Sequence, residues 1–511
     1  MKKLPIGIQT FSKIIENNYI YIDKTKEALD LIENYQYVFL SRPRRFGKSL
    51  FLDTLNEIFE GNKELFKGLY IYDKYDFEKY PVIKISWGGD FKTLESTKEV
   101  ANLILQRNQD ILGIKCKSTS PSSCFNELIY ESYKKYQKPV VILVDEYDKP
   151  ILDNIDDTKK AEENRDFLRG FYTNIKSNDR YIRFAFLTGI SKFSKASIFS
   201  GLNNLMDISL HKNFGNICGY TQNDLETSFK ERLQGADMKL VQEWYNGYYY
   251  LKDRIYNPFD ILQFIDNGFD FRNYWWESGN PFSLLKLLKE RDYFIPEIEN
   301  LEIDGTLLNT FDIEHLRLES LLFQAGYLTI EKVFQKRNRP IYKLKVPNLE
   351  IQISLNELFS YYLTSKTDIK IQDNIYDALV KGDLILFKQS LTSLFSSLPY
   401  NNYVNNTISN YEGYYASVVY TYLASLGLKI IVEDVTNRGR IDLTLFINNK
   451  VYIIEFKVAK ENDTSSALKQ IKEKRYFEKY LNSNKEIYLV GIEFNEKERN
   501  VKKVEWERVN G

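Results

Sequence analysis

The segment Ser41-Arg42-Pro43-Arg44-Arg45-Phe46-Gly47-Lys48-Ser49 constrains this chain more than any other, because of what lies on either side of it. The run Tyr35–Leu40 before it is short and apolar, as in a buried strand. The stretch Ser49–Glu60 after it carries Leu50, Leu52, Leu55, Ile58 and Phe59 at helical spacing. A strand, a loop ending in Gly-Lys-Ser and a helix together form the context of a phosphate-binding loop. There, backbone N–H groups of the loop and helix N-terminus surround a β-phosphate. Lys48 reaches the β- and γ-phosphates, and the Ser49 hydroxyl holds Mg²⁺. The first glycine usual in such loops is Arg42 here. A basic turn capping a helix is the competing reading of the loop taken alone.

A second element strengthens the first. Val140-Val141-Ile142-Leu143-Val144 is a buried strand closing on Asp145 and Glu146. Asp145 is placed to hold Mg²⁺ through water, and Glu146 to orient and deprotonate an attacking water. Further strands are expected at Pro81–Ser86 and Ile182–Leu187, with helices near Thr97–Gln109, Cys124–Tyr136 and Glu162–Asn174. Alternating apolar strands and helices predict a parallel sheet covered on both faces. Thr188 ends the last strand, where it either senses a γ-phosphate or caps a turn. Arg42, Arg44 and Arg45 contact phosphate, serve a neighbouring subunit's nucleotide as an arginine finger in a homo-oligomer, or are solvated.

Composition narrows the chemistry. Only His211 and His315 are present, which nearly excludes His-based zinc sites and Ser-His-Asp triads. The 70 basic residues balance the 70 acidic ones, so no global field demands a polyanionic partner and any nucleic-acid contact must use a local patch. Cys116, Cys124 and Cys218 have no framework spacing and read as reduced thiols in a cytoplasmic protein. No signal peptide and no apolar run long enough for a membrane span is visible.

Residues 220–400 read as mostly helical, with helices such as Leu284–Lys289 and Ile375–Leu398 and a strand pair at Gly326–Phe334 and Ile341–Val346. From about Asn401 the pattern becomes αβββαβ: a helix Glu412–Leu428, strands Lys429–Val435, Ile441–Ile447 and Lys450–Val458, a helix from about Thr464 to Tyr480, and a strand Glu486–Glu493. A turn at Asn448-Asn449 sets Asp442 opposite Glu455. Lys457, two residues on, projects to the same face. Two carboxylates hold Mg²⁺ or Mn²⁺ through hard oxygen ligands, and the lysine stabilises charge or positions water at a scissile phosphate. Glu412 is the candidate to complete the metal site, and Gln470 to touch the site or a nucleic-acid backbone. A surface ion-pair cluster is the competing reading.

These residues carry a resemblance. The chain resembles bacterial AAA-ATPase-like proteins with a C-terminal PD-(D/E)xK nuclease-superfamily domain. Pro5-Ile6-Gly7-Ile8 and Tyr21-Ile22-Asp23-Lys24-Thr25 look like that family's opening signature, and Arg42–Ser49 like its form of the phosphate loop. Val144-Asp145-Glu146-Tyr147-Asp148 looks like its acidic strand end. Gly439-Arg440-Ile441-Asp442 and Glu455-Phe456-Lys457 resemble the nuclease core, with Glu412 as its helical acid and Gln470 and Tyr476 as its downstream pair. The resemblance implies ATP binding and a nuclease-like fold, and leaves Tyr21–Thr25 either lining an adenine pocket or packing.

The expected fold is α/β: a P-loop NTPase sheet over residues 1–219, a mostly helical lid or connecting region over 220–400, and a restriction-endonuclease-like domain over 401–511. ATP is bound by Arg45, Phe46, Gly47, Lys48, Ser49, Asp145 and Thr188. Mg²⁺ is held by Ser49 and Asp145 in one site, and by Glu412, Asp442 and Glu455 in the other. The leading reading is an ATPase coupled to a metal-dependent DNA nuclease. The alternatives are a nucleotide-dependent switch that binds nucleic acid without cutting it, and an interaction protein in which ATP only stabilises the fold.

Overall fold

The computed structural model describes residues 1–192, 204–279, 298, 301–308, 317–364, 369–398, 412–459, 466–495 and 498–509, with backbone only at 306, 307, 362–364, 369, 412 and 459. The expected helix at Leu284–Lys289 lies outside the described residues. Internal contacts divide the chain into two units: Met1–Ser283 with Glu302–Asn348, and Leu284–Leu301 with Leu349–Gly511.

The first unit is built on a parallel sheet of β1 (Tyr37–Ser41), β2 (Val82–Ser86), β3 (Val140–Asp145), β4 (Ile182–Gly189) and the short β5 (Met206–Asp207). Their order is β2-β3-β4-β1-β5. Every residue of β3 is buried, as a strand covered on both faces requires. Helices α1 (Lys48–Phe59), α2 (Leu94–Leu112), α3 (Pro121–Tyr136) and α4 (Thr158–Ser177) supply the cover. Phe51 of α1 packs on Phe186 at 5.7 Å, and Phe125 stacks on Phe171 at 4.6 Å. Register aligns the carboxyl ends: Ser41 pairs with Gly189, Leu40 with Thr188 and Val144 with Leu187. The loop after β1, the end of β4 and the acidic end of β3 therefore share one edge of the sheet.

Cys116 and Cys124 form a disulfide, with Cα atoms 5.3 Å apart, and Cys218 is free and buried. This corrects the expectation of reduced thiols for two of the three. The turn between α2 and α3 brings the pair together. Gln109 accepts the Cys116 N–H at 2.7 Å, and Glu127 accepts that of Lys117 at 2.6 Å.

The region beyond residue 219 holds more strand than its sequence pattern suggested. A small sheet is formed by β6 (Tyr220–Thr221), β7 (Asn246–Tyr249) and β8 (Arg254–Tyr256). Another contains β9 (Glu302–Asp304), β10 (Thr329–Lys336) and β11 (Arg339–Lys345), the last two pairing antiparallel at the expected place. Tyr249 N–H donates to Thr329 Oγ1 at 2.8 Å and joins the two sheets.

The second unit carries helices α5 (Leu349–Thr364), α6 (Ile369–Lys381), α7 (Leu384–Ser396) and α8 (Glu412–Ser425). Its mixed sheet runs β12 (Lys429–Thr436), β13 (Gly439–Ile447), β14 (Lys450–Ala459), β15 (Glu486–Asn495) and β16 (Asn500–Val509). Only β14 and β15 pair in parallel, the crossover between them carrying α9 (Ala467–Glu473). The expected long helix stops at Glu473. Arg475 takes a left-handed φ of +49°, and a 3₁₀ segment Tyr476–Ser483 follows. Strand β16 extends the expected αβββαβ order by one element. Ile441, Val451, Ile453, Ile471, Tyr476 and Leu489 share a core under the sheet.

Candidate nucleotide and metal sites

The phosphate-loop segment has the backbone of an anion cradle. Arg45 takes φ +126° and Gly47 φ +97°, and nothing lies within 4 Å of where a Gly47 side chain would begin. Gly47 caps α1 without a side-chain hydrogen bond. Among the described residues, no acceptor takes the N–H groups of Gly47, Lys48 or Ser49. Exposed helix N-terminal donors beside a left-handed glycine suit a phosphate. Lys48 is buried and donates to the Arg42 and Pro43 carbonyls, each at 2.9 Å. Burial lowers its pKa, and Asp145 opposes that shift.

The flanking arginines do not form one functional cluster. Arg42 is 1% exposed and donates to the carbonyls of Ser41 and Ser209 at 2.8 Å, Phe214 at 3.3 Å and Gly215 at 3.4 Å. Its guanidinium lies 3.8 Å from the centre of the Tyr250 ring. This corrects the view of Arg42 as an arginine finger or a solvated residue: it fastens the loop entrance to the segment following β5. Arg44 presents its carbonyl to Trp275 Nε1 at 2.8 Å. Arg45 donates to Ser278 Oγ at 2.9 Å and lies over Phe259. Phe46 is buried edge-on against Tyr248 at 4.8 Å.

Across the cleft, Asp145 is buried at the tip of β3 and accepts the Glu146 N–H at 3.1 Å. Glu146 is exposed and left-handed, with φ +54°. Strained backbone thus occurs at both the loop and the acidic end, as is common where side chains are held for function. Partial desolvation, reinforced by the Asp145 charge, raises the Glu146 pKa although the side chain keeps access to solvent. Thr188 is fully buried, and its Oγ1 has no hydrogen-bond partner among the described residues. Asp148 is committed elsewhere: its Oδ2 accepts from Ile190 N–H at 3.0 Å and from the Ser191 N–H and hydroxyl at 2.6 Å.

A cavity of about 60 Å³ opens beside Gly47, lined by Tyr21, Ile22, Lys24, Phe51, Ile217 and Tyr220 among others. Its apolar and aromatic walls suit the edge of a flat ring. Asp23 shapes the wall, accepting the Thr25 N–H at 2.8 Å and the Tyr70 N–H at 2.7 Å. Ile217–Tyr220 carried no motif and became visible only in the fold, where Gly219 N–H donates to the Phe46 carbonyl at 2.9 Å.

In the second unit the β13–β14 ladder is centred as its turn dictates, with Leu443 opposite Ile454 and Ile447 opposite Lys450. Asp442 and Glu455 meet just beyond its last pair. Phe456 N–H donates to Asp442 Oδ2 at 2.8 Å, and Asp442 N–H to Glu455 Oε1 at 3.4 Å. Burial raises the Asp442 pKa, while the Phe456 N–H and a side-chain hydrogen bond to Glu455 oppose the rise. Gln470 Nε2 donates to Glu455 Oε2 at 2.8 Å. The approach of α9 that permits this requires Gly491, whose Cβ would meet the Leu468 backbone nitrogen at 2.3 Å. The Tyr476 pKa is raised, first by burial and then by Glu455 and Asp442. Lys457 is half-buried and pairs in register with Glu493. Glu412 opens α8, and its side chain lies outside the described residues. Among the described residues no group of three carboxylate, His or Cys side chains gathers for a metal. Two carboxylate donors still suit Mg²⁺, which keeps several waters.

The comparisons follow the same division. The family profile described as predicted AAA-ATPase matches residues 5–199, and that of the PD-(D/E)XK nuclease superfamily matches residues 410–504. A protein of Azotobacter chroococcum mcd 1, described as an uncharacterized protein in the vnfD 5′ region, is 46% identical over 508 residues, covering 98% of each chain. No solved structure matches. No described helix is long and apolar enough to cross a membrane. With a relative matching almost end to end and a family profile on each motif-bearing region, the chain belongs to the AAA-ATPase-like proteins that carry a C-terminal PD-(D/E)XK nuclease-superfamily domain.

Proposed function

We propose that the chain is a cytoplasmic ATPase coupled to a metal-dependent DNA nuclease, laid out as a nucleotide-binding domain over 1–219, a connecting region over 220–400 and a nuclease domain over 401–511. The observation that carries the reading is the pairing of Asp442 with Glu455 under Gln470, in the same chain as an uncapped Gly47-Lys48-Ser49 helix start that faces Asp145 and Glu146. The Gly47, Lys48 and Ser49 N–H groups bind the phosphates, and the Lys48 ammonium leaves the loop carbonyls for them. Arg45 and Phe46 shape the loop, and Thr188 offers its unpartnered hydroxyl to the terminal phosphate. Glu146, its pKa raised, is poised to take a proton from water. Ser49 and Asp145 would hold Mg²⁺ beside the nucleotide. Asp442 and Glu455, with Glu412, would hold Mg²⁺ or Mn²⁺ in the second unit. A bound divalent ion supplies charge stabilisation and a more acidic water. Lys457 stabilises negative charge at the scissile phosphate.

The test is supercoiled plasmid with Mg²⁺ or Mn²⁺, with and without ATP, beside Lys457→Ala and Lys48→Ala. Cleavage lost in Lys457→Ala and ATP dependence lost in Lys48→Ala are expected. Cleavage that persists in Lys457→Ala refutes the nuclease assignment. A second reading, a nucleotide-dependent switch that binds nucleic acid without cutting it, is favoured by the engagement of both carboxylates with protein donors, Glu455 with Gln470 and Asp442 with the Phe456 N–H. It gains if binding occurs and no cleavage is seen with either metal.

A further inference from the structure

The chain is neutral as a whole, yet one hairpin is not. Residues 329–345, spanning β10 and β11, contain six Lys or Arg and a single Glu. Register sets like charges face to face, Lys332 against Lys343 and Lys336 against Arg339. Such pairs destabilise a bare sheet. Glu302 and Asp304 of β9 offset part of this through Lys336 at 3.4 Å and Arg339 at 3.8 Å, and Glu331 pairs with Lys343 at 2.9 Å. The groove side is compensated only in part. There, Lys212, Lys252 and Arg254 face Lys332 across an open groove of about 650 Å³ that also holds Asp253 and Glu331.

Lys252 is 3.9 Å from Glu27. Lys212, Arg254, Lys332 and Lys345 have no carboxylate partner among the described residues. Arg254 is held by neutral groups: it donates to the Gly247 carbonyl at 3.2 Å and the Glu331 carbonyl at 3.3 Å and lies 5.3 Å from the Tyr249 ring centre. Its charge is thus fixed in place and unneutralised. Lys345 has a lowered pKa, first from burial and then from the Arg254 charge beside it.

We propose that the groove between the β7–β8 turn and β10 binds the phosphodiester backbone of nucleic acid, through Lys212, Arg254 and Lys332. A polyanion relieves the like-charge crowding and releases counterions, and Tyr249 offers an aromatic face beside the phosphate track. The proposal rests on the reading of the chain as one that acts on nucleic acid, and it places the contact on the first unit.

The test uses the full chain in EDTA, so that cleavage cannot intervene. Fluorescence anisotropy of a labelled mixed-sequence oligonucleotide, single-stranded and duplex, is followed against salt. Lys212→Gln with Lys332→Gln, both exposed, is expected to lower duplex affinity on the order of tenfold per lysine near 0.1 M salt, and to reduce the salt slope by about 0.9 for each. Lys332→Arg should retain binding. If wild type binds and the double variant binds equally with the same slope, the groove assignment falls while the nucleic-acid reading stands. If wild type binds neither form, both fall. Unchanged binding with an altered oligomeric state by light scattering would make the surface a contact between copies and overturn the proposal.

Discussion

Replacing Arg42 by Met tests whether this arginine builds the phosphate loop or touches phosphate. Its guanidinium donates to four carbonyls, two at 2.8 Å and two at 3.3–3.4 Å, in a site 1% exposed. A hydrogen bond from a charged donor is worth about 1.5–3 kcal/mol, and each carbonyl left buried without a donor costs about 1–3 kcal/mol. Met regains the cost of burying a charge, so a net loss of about 3–5 kcal/mol is expected from the carbonyls left without their donor. For a unit of this size that is about 2 °C per kcal/mol, or roughly 6–10 °C in the melting of the first unit by calorimetry. The loss should appear without nucleotide. An unchanged melt in the absence of ATP, together with abolished ATP binding, would refute the structural assignment and return Arg42 to the phosphates.

Other perturbations separate the remaining roles. Lys48→Ala should abolish ATP-induced stabilisation, which for wild type is about 2.7 kcal/mol at ligand a hundredfold above Kd and is read as a thermal shift. Gly491→Ala drives a Cβ into the Leu468 nitrogen and must push α9 outward, costing about 1–3 kcal/mol and weakening Mn²⁺ binding by calorimetry, with ATP binding intact. Asp442 has its pKa raised above the ordinary 3.8, so the folded site holds its proton more tightly than the unfolded chain. Its contribution to stability is unfavourable above both values, and the penalty grows as pH rises through the raised pKa. Asp442→Asn should therefore stabilise the metal-free protein at neutral pH and differ little below pH 3.8, as checked by melts across that window; equal effects at both ends would exclude the shift.

Much of this was legible in the residues because it rests on local periodicity. The buried run ending at Asp145 could only be a covered strand, and the Asn448-Asn449 turn fixed the register that brings Asp442 to Glu455. What escaped depended on distant partners. The role of Arg42 is set by carbonyls some 170 residues away, and a buried arginine is written the same way as an exposed one. Cys116 and Cys124 pair through a turn whose shape depends on Gln109 and Glu127, not on cysteine spacing. Strand β16 carries Lys502, Lys503, Glu505, Glu507 and Arg508 in ten residues, so an edge strand resembled solvated chain. Arg475 broke the expected helix with a left-handed residue that helix propensity does not flag.

The order β2-β3-β4-β1-β5 also sets a length. Strand β4 lies between the strand that launches the Lys48 loop and the strand that ends in Asp145. Neighbouring strands are about 4.8 Å apart, so β1 and β3 are held roughly 9.5 Å from each other. Direct pairing of β1 with β3 would halve that separation. The inserted strand acts as a spacer, and Thr188 near its carboxyl end stands between the strand that leads into the Lys48 loop and the strand that ends in Asp145.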